Sequence, residues 1–202
     1  MDATLYKIAK SGSVDLLSHI SDTNNGQLLL TTTPNKNTAL HIAARHGHSN
    51  FVARISDLCP FLLLEENSKG DTALHVAARN GDVLVADELI KCAQKNDLTE
   101  EMLRKRNRGL NTALHEAAWS RDHSFVELLI RVYPELVTLV NAAGASPLYL
   151  AAEEGALGCV LQLFQKTKGL DISQDYYSGP HGRTPLHAAV IRGHLGECLP
   201  QD

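Results

Sequence analysis

The feature that most constrains this chain is a short segment that returns along its whole length. The segment reads TALHIAARHGH at residues 38–48. The other copies are ATLYKIAKSGS at 3–13, TALHVAARNGD at 72–82, TALHEAAWSRD at 112–122, SPLYLAAEEGA at 146–156 and TPLHAAVIRGH at 184–194. Successive copies begin 35, 34, 40, 34 and 38 residues apart. Such a period indicates one supersecondary unit stacked several times, which offers an extended recognition surface without an obvious pocket.

Each copy predicts a first helix with a defined start and end. Thr38 precedes an Ala- and Leu-rich run and can cap it through its hydroxyl group. In the last copy Pro185 follows Thr184, a position where a missing N–H is tolerated. We expect Leu40 to face inward, and Gly47 to end the helix in the left-handed conformation.

A second helix is predicted after the glycine, because apolar residues follow it at positions four, five and eight. These positions are Leu16, Leu17 and Ile20 in the first copy, then Phe51, Val52, Ile55, Val85, Ala86, Leu89, Phe125, Val126, Leu129, Cys159, Val160 and Leu163 in the next four. Between units, residues 67–72 and 141–146 read as tight turns with a glycine at positive φ. The sequence therefore predicts an all-α fold of helix-turn-helix units joined by tight turns or short β-hairpins.

We predict a single domain over residues 1–202. Its repeats lie at about 3–35, 36–69, 70–109, 110–143, 144–181 and 182–202, the last of them incomplete. An insertion at 95–108 explains the longest step, and Thr99 can cap a short extra helical turn there. A polar loop at 168–181 explains the other long step. Insertions in such arrays project from one face of the stack.

Two departures from the pattern carry expectations of their own. Leu110 stands where three sister turns have Gly, so either the turn shifts to Gly109 or Leu110 bears strain. At the end of the chain, Glu197 takes a position that should be apolar and Pro200 interrupts the helix. We interpret the segment GECLPQD as a non-native or truncated tail, although it is also compatible with an atypical cap that frays in solvent.

Composition excludes several classes of partner and compartment. The formal net charge of −4 provides no global positive field for nucleic acid or anionic lipid. The cysteines Cys59, Cys92, Cys159 and Cys198 lie in different repeats with no C-x-x-C pair, which predicts reduced, mostly buried thiols. The N-terminus has no signal-peptide pattern, and no apolar run approaches the roughly 20 residues that span a bilayer. We expect a soluble, cytoplasmic chain.

The repeated core resembles the ankyrin repeat, with T-P-L-H-A-A at 184–189 and T-A-L-H-x-A-A in three other copies. The resemblance covers residues 3 to 196. Segments 133–155 and 177–192 also look like plant ankyrin proteins of the accelerated-cell-death type, in which a membrane region with a Pro-Gly-Gly signature follows the array. Neither that signature nor an apolar span occurs in this chain, so the likeness reaches only the array. The resemblance implies an ankyrin-repeat solenoid.

In ankyrin repeats the histidine of T-x-L-H bonds to the neighbouring turn and to the capping threonine. The resemblance therefore gives a structural role to Thr38, His41, Thr72, His75, Thr112, His115, Thr184 and His187. It also implies that partners contact the turn tips and the exposed ends of the first helices. On this chain those predicted contacts are Arg45, His46, Lys69, Asp71, Arg79, Asn80, Arg108, Asn111, Trp119, Glu153, Glu154, Arg183 and Arg192. Trp119 is the strongest candidate, since Trp leads hot-spot statistics; the alternative is that it packs against residues 95–108.

Other chemistry is less well supported by the residues. No G-x-S-x-G, phosphate-binding loop or H-E-x-x-H occurs, so we predict no enzyme, cofactor or metal site. Arg104, Lys105, Arg106 and Arg108 could contact phosphate groups, but the run is short, has acidic neighbours and lacks interleaved aromatics, which favours a solvated loop.

We therefore predict a monomeric, non-enzymatic scaffold for protein–protein interaction, and the resemblance implies a setting in plant defence or stress signalling. The alternative is a fragment or truncated form of the regulatory region of a channel-like membrane protein, one that controls cell death or ion flux. In that case the array lies at the cytosolic face of the plasma membrane.

Overall fold

The structure is a computed structural model that describes residues 1–17, 27–167 and 179–193. The chain divides into two compact units, unit 1 (Met1–Arg108) and unit 2 (Gly109–Asp202). The described residues of both units form α-helices, short 3-10 helices and turns, with no strand. The all-α prediction is therefore confirmed, and the described turns are tight turns rather than β-hairpins. The single domain and its repeat boundaries stay predictions.

Unit 1 is built from pairs of antiparallel helices. Its first helices pack side by side, as do its second helices α3 and α5, and α6 lies within the predicted insertion against α5. The described helices are α1 (Ala3–Ser11), α2 (Ala39–Arg45), α3 (Ser49–Leu58), α4 (Ala73–Asn80), α5 (Val83–Lys95) and α6 (Thr99–Arg104), with 3-10 turns at Gln27–Leu30 and Pro60–Leu63.

Unit 2 repeats this arrangement. Helix α9 packs against first helices on both sides and against its own second helix, while α8 and α10 pack together. The described helices are α7 (Ala113–Trp119), α8 (His123–Val132), α9 (Pro147–Glu153), α10 (Leu157–Thr167) and α11 (Pro185–Ile191), with 3-10 turns at Pro134–Thr138 and Pro180–Gly182.

Asp2 caps α1, and each later first helix that the structure describes begins after the repeated Thr or Ser, whose side chain caps the first turn. Thr38 Oγ1 accepts the His41 N–H at 3.4 Å, and His41 Nδ1 accepts the Thr38 N–H at 3.2 Å. This reciprocal pair satisfies two backbone donors that a bare helix end would leave open. The same capping box starts α4, α7 and α11, whereas Ser146 caps α9 by accepting the Tyr149 N–H.

The core consists of the apolar positions that the repeat pattern predicts. Phe51, Leu89 and Phe125 are completely buried, and each such side chain contributes about 1.5–3 kcal/mol of transfer free energy. Two predicted positions differ: Leu16 is 50% exposed although Leu17 beside it is buried, and Val160 is only half-buried. Ile20 lies outside the described residues.

The turns between units contain a residue in the left-handed region at a fixed distance before the capping Thr or Ser. Gly70 and Gly144 take this position with φ of 75° and 74°, as predicted. Leu110 takes it with φ of 56°, so the turn does not shift to Gly109. Lys36 occupies the equivalent position with the same φ of 56°. A side chain in this region costs about 1 kcal/mol relative to Gly.

The insertion contains a short helix, although its predicted cap is wrong. Helix α6 begins at Thr99, and its N-cap is Leu98, which makes no side-chain bond to the helix. Most of the loop at 168–181, together with Glu197, Cys198 and the rest of the GECLPQD tail, lies outside the described residues. Among the helices that the structure does describe, none is long and apolar enough to cross a bilayer.

Candidate interaction surface

Three of the repeated histidines, His41, His75 and His115, are buried, whereas His187 in the last described repeat is exposed. The buried His41 places Nδ1 2.8 Å from Thr38 Oγ1 and Nε2 2.8 Å from the Asp71 carbonyl oxygen. A carbonyl only accepts, so Nε2 carries the proton and Nδ1 accepts from Thr38. Burial lowers the pKa of His41, and the Asp71 carbonyl only partly opposes this. Equivalent Nδ1–Oγ1 contacts join His75 to Thr72, His115 to Thr112 and His187 to Thr184.

Asp71 is a structural anchor of unit 1 and not a free contact residue. Its side chain is 1% exposed, and its carboxylate accepts two bonds from Arg79 at 3.1 Å each and one from Asn107 at 3.0 Å. Burial raises the pKa of Asp71, but the bonds from Arg79 and Asn107 outweigh burial and hold the pKa below its ordinary value. We expected Asp71 at a partner interface; its burial corrects this, and the Arg79 guanidinium is committed to the same pair.

Asparagine side chains connect neighbouring turns inside each unit. Asn67 Nδ2 donates to Asn37 Oδ1 at 3.0 Å in unit 1, and Asn141 Nδ2 donates to Asn111 Oδ1 at 2.9 Å in unit 2. The half-buried Asn111 also donates to Glu116 at 3.3 Å. Of the predicted contact residues, Asn111 is thus held by its own unit. Asn80 is exposed, but its amide donates to the Arg45 carbonyl oxygen at 3.0 Å.

Basic side chains occupy the turn tips of unit 1, and we call Lys36, Lys69 and Arg108 the basic tips. All three are exposed. Backbone bonds bring their turns together, since the Ser68 N–H donates to the Asn35 carbonyl at 2.9 Å and the Arg108 N–H donates to the Lys69 carbonyl at 3.0 Å. Within the described ranges, no acidic side chain pairs with any of the basic tips.

Arg45 extends this positive surface to the end of α2, and His46 lies beside it. Both are exposed, and the Arg45 guanidinium makes no ion pair within the part of the chain that the structure describes. Partial burial and then the positive charges of Lys10, His48 and Arg45 lower the pKa of His46. Burial is the larger cause of the lowered pKa of His46, and the nearby positive charges add to it.

The corresponding residues of unit 2 present a different surface. Trp119 ends α7 and is 52% exposed. The half-buried Glu153 and Glu154 are both paired, Glu153 with Arg192 at 3.0 Å and Glu154 with Arg121 at 3.4 Å. Arg183, at the last described turn, is exposed. Leu110, 44% exposed, and the exposed Ala142 and Ala143 form the other turn tips.

The basic run at 104–108 is not one continuous patch. Arg104 pairs with Glu100 at 3.2 Å and Lys105 pairs with Glu66 at 3.2 Å, so acidic neighbours compensate these two charges. Arg108 instead lies against the turn of Lys69. The structure therefore divides the run between a mixed-charge helix end and the basic tips.

Sequence reasoning omitted two residues of this surface, Lys36 and Arg121. Both have positive φ, 56° and 63°, at positions where sister repeats carry Gly. The signal that the sequence contains for both is a non-glycine residue at a glycine position, the same signal that distinguishes Leu110. Reading every such exception would have added Lys36 to the predicted contacts.

The described residues were also compared with what a metal site or a reactive cysteine requires. Among them, no group of three His, Cys, Asp or Glu side chains could hold a metal ion. Cys59, Cys92 and Cys159 are free and buried, and burial raises the pKa of each thiol, to about 11 for Cys159. A raised pKa keeps these thiols protonated at neutral pH, which suppresses their reactivity.

A comparison with known protein families matches the chain to the family described as ankyrin repeats (3 copies). The matches cover residues 5–100, 53–139, 89–176 and 114–199 and overlap one another along most of the sequence. A search of curated proteins finds no match.

Proposed function

The chain belongs to the ankyrin-repeat family, and from this premise we propose that it is a scaffold that binds other proteins through its turn tips and first-helix ends. Ankyrin-repeat proteins are generally non-enzymatic interaction modules, which supports a role in binding rather than in catalysis. Long, shallow surfaces of stacked repeats suit the recognition of proteins.

One observation carries this proposal: a repeated frame supports exposed residues that change from turn to turn. The capping pairs Thr38–His41 and Thr72–His75 are alike and buried. Above them the tips change from Lys36 and Lys69 in unit 1 to Leu110 in unit 2. Stacking of the repeats does not require the exposed tip residues to differ, so their differences support a role in binding.

Partner capture tests the proposal. Proximity labelling in plant cells, with this array as bait, identifies candidate proteins, and Trp119→Ala serves as the surface variant. We expect the variant to lose specific partners and to keep its melting temperature. A variant that melts lower and still captures every partner would make Trp119 structural. If the array captures no protein specifically, the scaffold proposal fails.

We further propose a setting in plant defence or stress signalling. Its support is the likeness of segments 133–155 and 177–192 to the accelerated-cell-death type, and no curated match adds to it. The alternative is that the array is a cytosolic regulatory region of a longer channel-like membrane protein. Codons for apolar spans and a Pro-Gly-Gly segment downstream in the genomic sequence would support the alternative, and an in-frame stop without them would refute it.

Location and oligomeric state are part of the same proposal. We propose that the chain as written acts as a monomer in the cytoplasm; the support for the cytoplasm is that Cys59, Cys92 and Cys159 are free, as thiols are in a reducing compartment. Fractionation of plant cells and light scattering of the purified chain test both points. A membrane-bound pool of this chain, or a stable dimer, would contradict them.

A further inference from the structure

The basic tips of unit 1 carry a positive charge that the unit itself does not neutralise. Lys36, Lys69 and Arg108 lie on consecutive turns that touch through backbone bonds of 2.9 and 3.0 Å. Two carboxylates of unit 1 already pair with other basic residues: the buried Asp71 pairs with Arg79, and Glu66 pairs with Lys105. Exposed like charges on adjacent turns repel one another, so an anionic ligand that binds there relieves this repulsion.

The conformation of Lys36 gives a second reason to assign a role to this row. Its φ of 56° lies in the region that favours Gly, and three sister turns have Gly70, Gly144 and Gly182 at this position. A lysine there carries a conformational cost of about 1 kcal/mol that a glycine would avoid. Backbone strain of this kind is often retained at sites that bind a ligand.

We infer that the basic tips, together with Arg45 at the end of α2, bind an extended acidic segment of a partner protein. The inference rests on the proposed scaffold function and names the chemistry of its partner. Adjacent packed helices are about 8–10 Å apart, so consecutive turn tips repeat at about that distance. A segment in the extended polyproline II conformation has three residues per turn and rises about 3.1 Å per residue, so every third side chain faces the same way at intervals of about 9 Å. Acidic residues at every third position of such a segment therefore meet consecutive tips.

A protein segment fits this row better than a nucleic acid does. The basic tips and Arg45 include no aromatic side chain on which a base could stack. Arg104 and Lys105, which would extend a phosphate-binding track, are paired with Glu100 and Glu66. The chain as a whole carries a formal charge of −4, which opposes a long polyanion but not a short acidic segment.

Two labelled peptides of identical composition test the inference on the full chain. Each has about 13 residues in a Gly-Ser background, with Glu either at every third position, as the three-residue turn of polyproline II requires, or in one contiguous block. Fluorescence anisotropy at low ionic strength measures binding. We expect the spaced peptide to bind at least about threefold more tightly than the block peptide, because each exposed ion pair contributes a small, position-dependent amount.

Charge reversal at a tip provides the main variant and its control. Lys69→Glu should weaken binding of the spaced peptide about tenfold, since it removes one attraction and adds one repulsion. Arg183→Glu makes the same change at an exposed turn tip of unit 2 and should leave binding unchanged. Equal affinity for the two peptides, or equal loss in both variants, would mean non-specific attraction and would overturn the inference. So would tighter binding of a single-stranded RNA of the same length.

Lys36→Gly separates binding from folding. It removes a charge and relieves the left-handed backbone, so we expect an unchanged or higher melting temperature and about threefold weaker binding of the spaced peptide. Leu110→Gly relieves the same strain in unit 2 and should leave peptide binding unchanged. If Lys36→Gly lowers the melting temperature and leaves binding intact, Lys36 serves the fold and the inference is wrong.

Failure of this inference is distinguishable from failure of the scaffold function. If neither peptide binds while the array still captures protein partners in cells, the scaffold proposal stands and the acidic segment is ruled out. If the array captures no protein at all, the scaffold function fails whatever the peptides do.

Discussion

The turns of unit 1 end in lysine and arginine, whereas those of unit 2 end mainly in leucine and alanine, although the backbone beneath them is the same. In both units the first residue of the turn donates its N–H across the turn at 2.9 Å, from Asn67 to the Asp71 carbonyl and from Asn141 to the Ala145 carbonyl. The units differ in how charge is balanced. Glu153 and Glu154 of unit 2 are paired, and the basic tips of unit 1 are not.

The residue just before the cap shows why the same turn can serve two surfaces. Unit 1 has the buried Asp71 there, which fixes Arg79 and Asn107, while unit 2 has the small buried Ala145. The backbone bonds of the turn persist in both. The side chain at this position therefore differs between the two turns while the backbone bonds of the turn are kept.

The largest expected effect tests whether the two units have equally well-packed first helices. Leu74→Ala in unit 1 and Leu148→Ala in unit 2 each remove a buried side chain and should cost about 2–5 kcal/mol of unfolding free energy. Urea unfolding measures both. Leu84→Ala is the control, because Leu84 is exposed and its loss should change stability by less than about 0.5 kcal/mol. A loss below about 1 kcal/mol in one unit would contradict equal packing.

A smaller effect concerns the Asp71 anchor of unit 1. Asp71→Ala gives unit 1 the residue found at Ala145 and should cost about 2 kcal/mol, because bonds from Arg79 and Asn107 to a charged acceptor are lost. Asp71→Asn, which keeps the shape and loses the charge, should cost about half as much. Urea unfolding of both variants measures these losses of unfolding free energy. No loss in either variant would show that the turn does not depend on its carboxylate.

Next in size is the difference between the two kinds of cap. Thr72→Ala should cost about 1 kcal/mol, because Thr72 takes part in the reciprocal capping box with His75. Ser146→Ala removes a single bond from the Tyr149 N–H and should cost about 0.5 kcal/mol. Thermal unfolding compares them, and a larger loss for Ser146→Ala would contradict the assignment.

The smallest effect comes from one histidine and depends on pH. His41 has a pKa below the ordinary 6.5 in the folded state because burial disfavours its charged form. The unfolded chain therefore binds more protons just below that pH. Stability is complete above the ordinary pKa and is lost as the pH falls toward the lowered pKa. Urea midpoints at about pH 7.5 and about pH 5.5 should differ less in His41→Gln than in the original chain. If the difference in urea midpoint between the two pH values is the same in His41→Gln as in the original chain, His41 does not cause the pH dependence.

The sequence predicted the helices well because their causes are local. The Thr cap, the apolar positions after the glycine and the turn glycines such as Gly70 all lie within one repeat, and one repeat determines each. Leu16 was misjudged because its burial depends on what packs over it, which a periodic pattern does not contain.

The candidate surface was harder to predict, since its charges are set by contacts between repeats. Asp71 and Lys69 are close in the sequence and look equally suited to a partner, yet one is buried and the other exposed. The hydrogen bond from Asn107 to Asp71 joins residues 36 positions apart in the sequence, so no local sequence pattern predicts it. Lys36 was visible only as an exception to a glycine position.

The central claim is that the basic tips bind partners while the buried capping pairs and core hold the fold. Changing all three basic tips together tests this claim most directly. The triple variant Lys36→Gly, Lys69→Ser, Arg108→Ala is compared with the original chain in thermal unfolding and in capture of the same protein partners. We predict a melting temperature within about 4 °C, which corresponds to less than about 1 kcal/mol, and loss of the partners that unit 1 binds. Unchanged capture, or loss of capture together with unfolding, would contradict the account.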